Sequence, residues 1–227
     1  GDAIEAEGWS YLAGDAYLSS AKGRTTLPAY VLDSTGRVYS ITTHDLPTAR
    51  SQGEPLTGRL NPPPGSLFTD VFSGQADDEM LMCSNAGYGF RVPLKELYSK
   101  NKAGKAVMTV PDKAKVLTPM PIPAGCDLLA VVTLQGRLLI FPVAELPELA
   151  KGKGNKLIQI PAADWAAGKD AVISVLALSA MNELKIVSGK RFVSLKGGDL
   201  QSYIGSRAQR GTLLPRGFQK VEGLDVV

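Results

Sequence analysis

An internal repeat constrains the fold of this 227-residue chain more than any other feature. Each repeat unit has an apolar segment, a turn at a glycine and a second apolar segment, followed by a Leu/Pro segment and a loop of glycine with lysine or arginine. The turn glycines lie at positions 36, 87, 136 and 189, so their spacings are 51, 49 and 53 residues. A period of roughly 50 residues with several strands per unit is typical of propeller blades.

Each unit is predicted to contain about four β-strands, as in a propeller blade. Two strands form a hairpin around the turn glycine, as for the β-rich run 38–41 that follows Gly36. The basic loops lead into third strands at residues 106–110, 157–160 and 212–214, and further apolar runs supply fourth strands at 67–72, 116–121 and 171–177. Helical repeats would need long stretches of 3.6-residue periodicity, which the sequence lacks.

The repeats start near residues 30, 80, 128 and 183, and they predict one all-β domain over residues 1–227. Residues 1–29 match the end of an earlier unit, whose later strands we expect at residues 8–12 and 16–18. We therefore expect about five propeller-like blades, the first of them incomplete. Both a closed ring and an open, broken ring are compatible with this pattern.

Residue types that carry out bond-making chemistry are scarce. The single histidine, His44, lies in a polar loop, where a solvated or capping role is usual. One histidine with two distant cysteines, Cys83 and Cys126, is too few ligands for a structural zinc site, and so few cysteines favour a reducing compartment. The Gly-Lys pairs lack the earlier glycine and the following Ser or Thr of a phosphate-binding P-loop. We predict a non-catalytic domain with no cofactor and no metal.

Membrane and export signals are also missing from the sequence. No segment approaches the roughly 18 apolar residues that span a bilayer. The first eight residues are acidic and polar, unlike a signal peptide. We expect a soluble cytoplasmic protein without a membrane partner.

Positive charge is concentrated in the glycine-containing loops, although the formal net charge of the chain is only +3. Equivalent loops of a blade ring share one rim, so we expect a belt that binds duplex DNA through its phosphates without reading the bases. Glycines would let the backbone approach those phosphates closely. The first loop, which contains Glu54, is predicted to bind most weakly and the loop 151–156 most strongly. The candidate DNA-binding residues are Arg50, Arg59, Lys100, Lys102, Lys105, Lys151, Lys153, Lys156, Arg207 and Arg210.

The repeat and its loops together resemble the C-terminal domains of the gyrase A and topoisomerase IV A (ParC) proteins. The resemblance covers essentially the whole chain and is closest to the ParC type at residues 33–37, 52–58, 85–90 and 151–156. It implies a β-pinwheel, a propeller-shaped ring whose neighbouring blades exchange strands, with DNA bound at the outer edge. Gyrase members carry a Q-R-R-G-G-K/R-G box that wraps DNA. This sequence has only degenerate versions of that box, at 209–211 and 151–156.

The ParC-like pattern implies a domain that binds and orients a transported DNA duplex for decatenation and for relaxation of positive supercoils, with only modest bending. It also implies a nucleoid-associated location and several partners: the remainder of a ParC protein, the ATPase protein ParE in a heterotetramer, and a condensin. The catalytic tyrosine and the metal-binding partner of the family lie outside this chain. Two alternatives stay open, a protein-interaction propeller with incidental basic loops and a propeller enzyme, which the lack of clustered histidines and acidic residues disfavours.

Overall fold

The computed structural model describes residues 10–48 and 50–227, which fold into antiparallel sheets linked by turns. The strands are β1 (Ala29–Asp33), β2 (Arg37–Ile41), β3 (Phe68–Ser73), β4 (Glu79–Cys83), β5 (Tyr88–Pro93), β6 (Lys105–Ala106), β7 (Met120–Ile122), β8 (Leu128–Thr133), β9 (Arg137–Pro142), β10 (Asn155–Lys156), β11 (Val172–Leu178), β12 (Leu184–Ser188), β13 (Arg191–Leu195), β14 (Thr212–Leu213) and β15 (Gly223–Val226). The helices are short: α1 (Leu94–Leu97), α2 (Ala162–Ala166) and α3 (Gly198–Gln201), with 3-10 turns at Thr43–Asp45, Leu56–Gly58 and Val143–Glu145.

Four sheets are built on the four predicted hairpins. Their strand orders are β3-β1-β2-β6, β10-β5-β4-β7, β11-β8-β9-β14 and β13-β12-β15. Each hairpin closes where a turn glycine has a positive φ, for example +87° at Gly36 and +82° at Gly136, a conformation that side chains with a Cβ rarely adopt. The all-β prediction is therefore confirmed, and the predicted strands lie within a few residues of the observed ones.

Neighbouring repeats exchange a strand. β6 follows the second hairpin in sequence but pairs with β2 of the first sheet, and β10 and β14 likewise pair with β5 and β9 of the sheet before their own hairpin. The register is the same in all three sheets, with Lys105 opposite Val38, Asn155 opposite Gly89 and Thr212 opposite Leu138. This exchange is what separates a pinwheel from a simple propeller, and it agrees with the fold that the resemblance implies.

The core lies between successive sheets, because the hairpin strands are apolar on both faces. Every residue of β8 is buried, as is typical of a strand covered on two sides. One cluster joins the first and second sheets around Leu32 and Met82, the next joins the second and third around Cys83 and Val131, and a third cluster packs the last two sheets together. The sheets are thus stacked side by side as blades.

The N-terminal segment differs from the prediction. Residues 10–28 contain no strand, so the strands expected around residues 10–12 and 16–18 do not form, and residues 8 and 9 lie outside the described residues. The segment instead lies along the first sheet, where the Val71 N–H donates to Ser19 Oγ at 3.3 Å. A strand needs a neighbour with free backbone groups, and the described residues include no hairpin before β1. They contain four sheets where about five blades were expected.

Candidate nucleic-acid interface

Three basic loops occupy equivalent positions along the first three sheets, and we call them the edge loops: residues 99–104, 150–154 and 206–211. Each runs beside the second strand of the preceding hairpin and enters an exchanged strand. The connections are fixed at the same register: the Ser99 N–H donates to Ser40 Oγ, the Leu149 N–H to the Arg91 carbonyl, and the Gly205 N–H to the Ile140 carbonyl, at 2.8 to 3.1 Å. The repeat in the sequence therefore becomes a repeat in space.

A glycine with positive φ ends each edge loop, because the backbone there lies directly against the neighbouring hairpin. Gly104, Gly154 and Gly211 have φ values of +71°, +82° and +76°. A Cβ added at these glycines would lie 2.9, 2.2 and 2.8 Å from the carbonyl oxygens of residues 38, 89 and 138. Larger residues would push the loops away from the sheets.

Consecutive edge loops are connected by backbone hydrogen bonds. The Gly152 N–H donates to the Val107 carbonyl at 2.9 Å, joining the second edge loop to the segment that follows the first exchanged strand. The Ala208 N–H donates to the Leu157 carbonyl in the same way, also at 2.9 Å. The three loops therefore form a continuous row.

Five of the predicted residues expose their cationic groups on this row. Lys100, Lys102, Lys151 and Arg210 are exposed, and their side chains make no hydrogen bond or ion pair within residues 10–48 and 50–227. Lys153 is also exposed, and its Nζ lies 4.3 Å from the centre of the Tyr88 ring, in a cation–π contact. These cations are available to an anionic partner.

Four other predicted residues are held within the protein. Lys105 donates to the Glu96 carbonyl and Lys156 to the Gln159 side chain. Arg207 donates to the carbonyls of Glu145 and Lys156, both at 2.7 Å. Arg59 forms an ion pair with Glu54 at 2.8 Å and also donates to the Asp45 carbonyl. These side chains fix local structure, which makes them weaker candidates for phosphate contact.

The first basic loop is not equivalent to the edge loops. Arg50 is exposed, but the segment 50–59 enters no exchanged strand in the described residues. Its end is nevertheless brought to the first edge loop, because the Asn61 N–H donates to the Lys102 carbonyl at 2.8 Å. Arg59, Lys100 and Lys102 consequently line one surface cleft of about 290 Å³.

A further group of exposed cations on the fourth repeat was not predicted. It lies on β13 and in the turns around the fourth sheet, outside the glycine-containing loops on which the prediction was based. The only signal in the sequence was the high number of basic residues after position 185. The group consists of Lys190, Arg191, Lys196, Arg216 and Lys220.

The described residues offer no grouping suited to catalysis by metal ions or thiols. In this part of the chain no three His, Cys, Asp or Glu side chains come together as a metal site. His44 is exposed in a loop, 3.1 Å from Asp45. Burial raises the pKa of the Cys83 thiol to about 12, so it is a poor nucleophile at neutral pH. None of the helices in residues 10–48 and 50–227 is long and apolar enough to cross a bilayer.

Comparison with known proteins gives a consistent family. The model of the DNA gyrase C-terminal domain, a beta-propeller family, matches residues 78–123 and 127–179. The A subunit of DNA topoisomerase 4 from Pseudomonas aeruginosa is 48% identical over 99% of this chain, and that from Escherichia coli K12 is 43% identical over 100% of it. The chain spans 30% of the length of each of these curated relatives.

A solved structure decides which domain this is. The C-terminal domain of E. coli ParC superposes with a TM-score of 0.88 at 43% identity, covering 99% of this chain and 91% of that one. The chain belongs to the family of ParC C-terminal domains. Its ParC-type pinwheel also matches the gyrase A C-terminal domain with a TM-score of 0.71, covering 97% of this chain and 72% of that one, but at 16% identity this likeness concerns the fold alone. The predicted resemblance and the β-pinwheel fold are thus confirmed for this ParC domain.

Proposed function

We propose that this ParC C-terminal domain is a non-catalytic module that binds duplex DNA along its row of edge loops. One observation carries the proposal: five exposed cations lie on three structurally equivalent loops that are hydrogen-bonded in series. Such a row matches a polyanion of regular spacing better than it matches a compact anionic ligand.

The side chains in the row favour contact with phosphates over contact with bases. Four of the five are lysines, whose ammonium groups act as mobile point charges without the fixed fork that recognises base edges. Phosphate contacts fix the position of a protein on a duplex but carry no sequence information. Binding is therefore expected to be largely independent of sequence.

The role of this binding in the whole protein extends the proposal. The domain would hold and orient a transported duplex during decatenation and relaxation of positive supercoils, within a heterotetramer of ParC and the ATPase protein ParE. A condensin is a further proposed partner, and the location would be the cytoplasm, at the nucleoid. Because the gyrase-type box is missing, we expect the duplex to be held with modest bending and without full wrapping.

The test is binding to two duplexes of unrelated random sequence over a range of salt concentrations. Each phosphate contact contributes about −0.9 to the slope of log affinity against log salt, so five cations predict a slope of about −4.5. Equal affinity for both duplexes is expected. A slope near zero, or no binding at low salt, would contradict the proposal and favour a protein-interaction domain whose basic loops are incidental.

A further inference from the structure

The residue that follows each turn glycine contacts the edge loop of the same sheet. Arg37 donates from Nε to the Ala103 carbonyl at 2.9 Å and from Nη2 to the Gly104 carbonyl at 3.1 Å. Arg137, at the equivalent place in the third sheet, donates from Nη1 to the Gly211 carbonyl at 3.1 Å. In the second sheet this place is taken by Tyr88, whose ring lies under Lys153.

We propose that Arg37 and Arg137 are positioning residues, which hold the first and third edge loops in the shape that binds DNA. The inference rests on the proposed function, and it adds residues that were not among the predicted DNA contacts. Both side chains are half-buried against the loops, and their donors are bound to loop carbonyls. They therefore act on DNA through the loops, with the exposed Lys100, Lys102 and Arg210 as the groups that meet phosphate.

Two physical effects make an arginine suited to this place. Hydrogen bonds from a charged donor are stronger than neutral ones, so the guanidinium fixes the loop backbone where only a two-residue strand would otherwise hold it. Loop carbonyl oxygens also carry partial negative charge, which would repel phosphates. A guanidinium bound to them offsets that charge next to the DNA path.

The second edge loop is held by a different contact. Here the lysine that faces the solvent is itself the anchor, because Lys153 rests on Tyr88 and no arginine reaches the loop carbonyls from position 88. The first and third loops thus keep anchor and phosphate-binding group on separate side chains, whereas the second combines them.

The positioning role can be tested without DNA, by amide hydrogen exchange in Arg137→Ala and Arg137→Gln. Arg137→Ala should speed exchange in residues 209–213 and leave the first edge loop, held by Arg37, unchanged. Arg137→Gln keeps a donor without the charge and should restore much of the protection. Arg37→Ala should give the mirror result in residues 101–106, which provides a second variant if either protein is poorly folded. Unchanged exchange in both alanine variants would overturn the inference.

DNA binding then separates positioning from direct contact. We expect Arg137→Ala to weaken binding about fivefold with little change in the salt slope, because a hydrogen bond that orders the loop is lost and no phosphate contact is removed. Arg210→Ala is the matched control and should reduce the slope by about 0.9. An equal slope change for Arg137→Ala would show that Arg137 contacts phosphate and would overturn the inference. If the wild type does not bind DNA, the proposed function fails while the exchange result still stands.

Discussion

Replacing both exposed lysines of the second edge loop by alanine tests the interface most directly. Lys151 has no partner for its side chain in the described residues, and Lys153 contacts only the face of Tyr88 there. Because neither lysine packs in the core, Lys151→Ala/Lys153→Ala should leave the fold intact. Any loss of affinity then reports on contact with DNA.

The size of the loss follows from counterion release. Two lost phosphate contacts reduce the salt slope by about 1.8, which corresponds to about 60-fold in affinity at 0.1 M salt relative to 1 M. Lys153 must leave the Tyr88 ring to reach a phosphate, at a cost of about 0.5 to 1 kcal/mol. This cost offsets part of its contribution, so the expected loss at 0.1 M is about 10- to 25-fold.

The assay is fluorescence anisotropy with a labelled random-sequence duplex at four or more salt concentrations. The matched control is Lys22→Ala/Lys95→Ala, which removes the same charge at the end of the second sheet away from Gly87. There Lys22 lines a cleft with Asp78, and Lys95 pairs with Asp77 at 2.8 Å. The control should keep the wild-type slope.

Two results would refute the reasoning. If the edge-loop variant keeps both the affinity and the slope of the wild type, the duplex does not contact residues 150–154. If the control loses as much affinity as the variant, binding depends on net charge alone, and the row of loops has no special role.

Three further predictions concern stability and are checked by urea unfolding. Gly154→Ala should lower the free energy of unfolding by about 2 to 4 kcal/mol, since its φ is +82° and the new Cβ would lie 2.2 Å from the Gly89 carbonyl oxygen. Gly168→Ala, with φ +67° and open space around it, should cost only about 1 kcal/mol, so equal losses would contradict the steric argument. Ser84→Ala should be neutral or stabilising by about 1 kcal/mol, because Ser84 Oγ is buried and has no hydrogen-bond partner among the described residues; a clear loss would point to a partner that we have missed. Burial raises the pKa of Cys83 from 9.0 to about 12, so the unfolded thiol loses its proton first and stability should fall as pH rises from 9 towards 12; Cys83→Ala should flatten that fall, and an unchanged pH profile would argue against it.

The sequence predicted the strands well because their signals are local. The exchanged strands were expected at 106–110, 157–160 and 212–214 and begin at residues 105, 155 and 212. Their partners were a different matter. A strand of two residues carries too little pattern to select a sheet, so strand exchange was available only from the family resemblance.

The sequence also located the basic loops, but it did not separate the free cations from the engaged ones. Arg207 is held by the Glu145 carbonyl, 62 residues away, and a backbone carbonyl leaves no trace in a sequence pattern. The opposite error concerns Arg37 and Arg137. Their Gly-Arg motif was recognised as part of the repeat, but their contacts with the edge loops depend on the exchange that brings residues 103 and 211 to them.

Strand exchange also affects how the chain folds as it is synthesised. The first hairpin is complete at Ile41, but its sheet receives its last strand only when Ala106 has been made. At ribosomal rates of about 5 to 20 residues per second, that edge stays open for roughly 3 to 13 seconds. Each later sheet of the exchange waits in turn for the next repeat, so a newly made blade is always unfinished until its successor emerges. Loss of one repeat by mutation would leave its predecessor with an open edge, which favours gain or loss of repeats that includes both sides of the exchange.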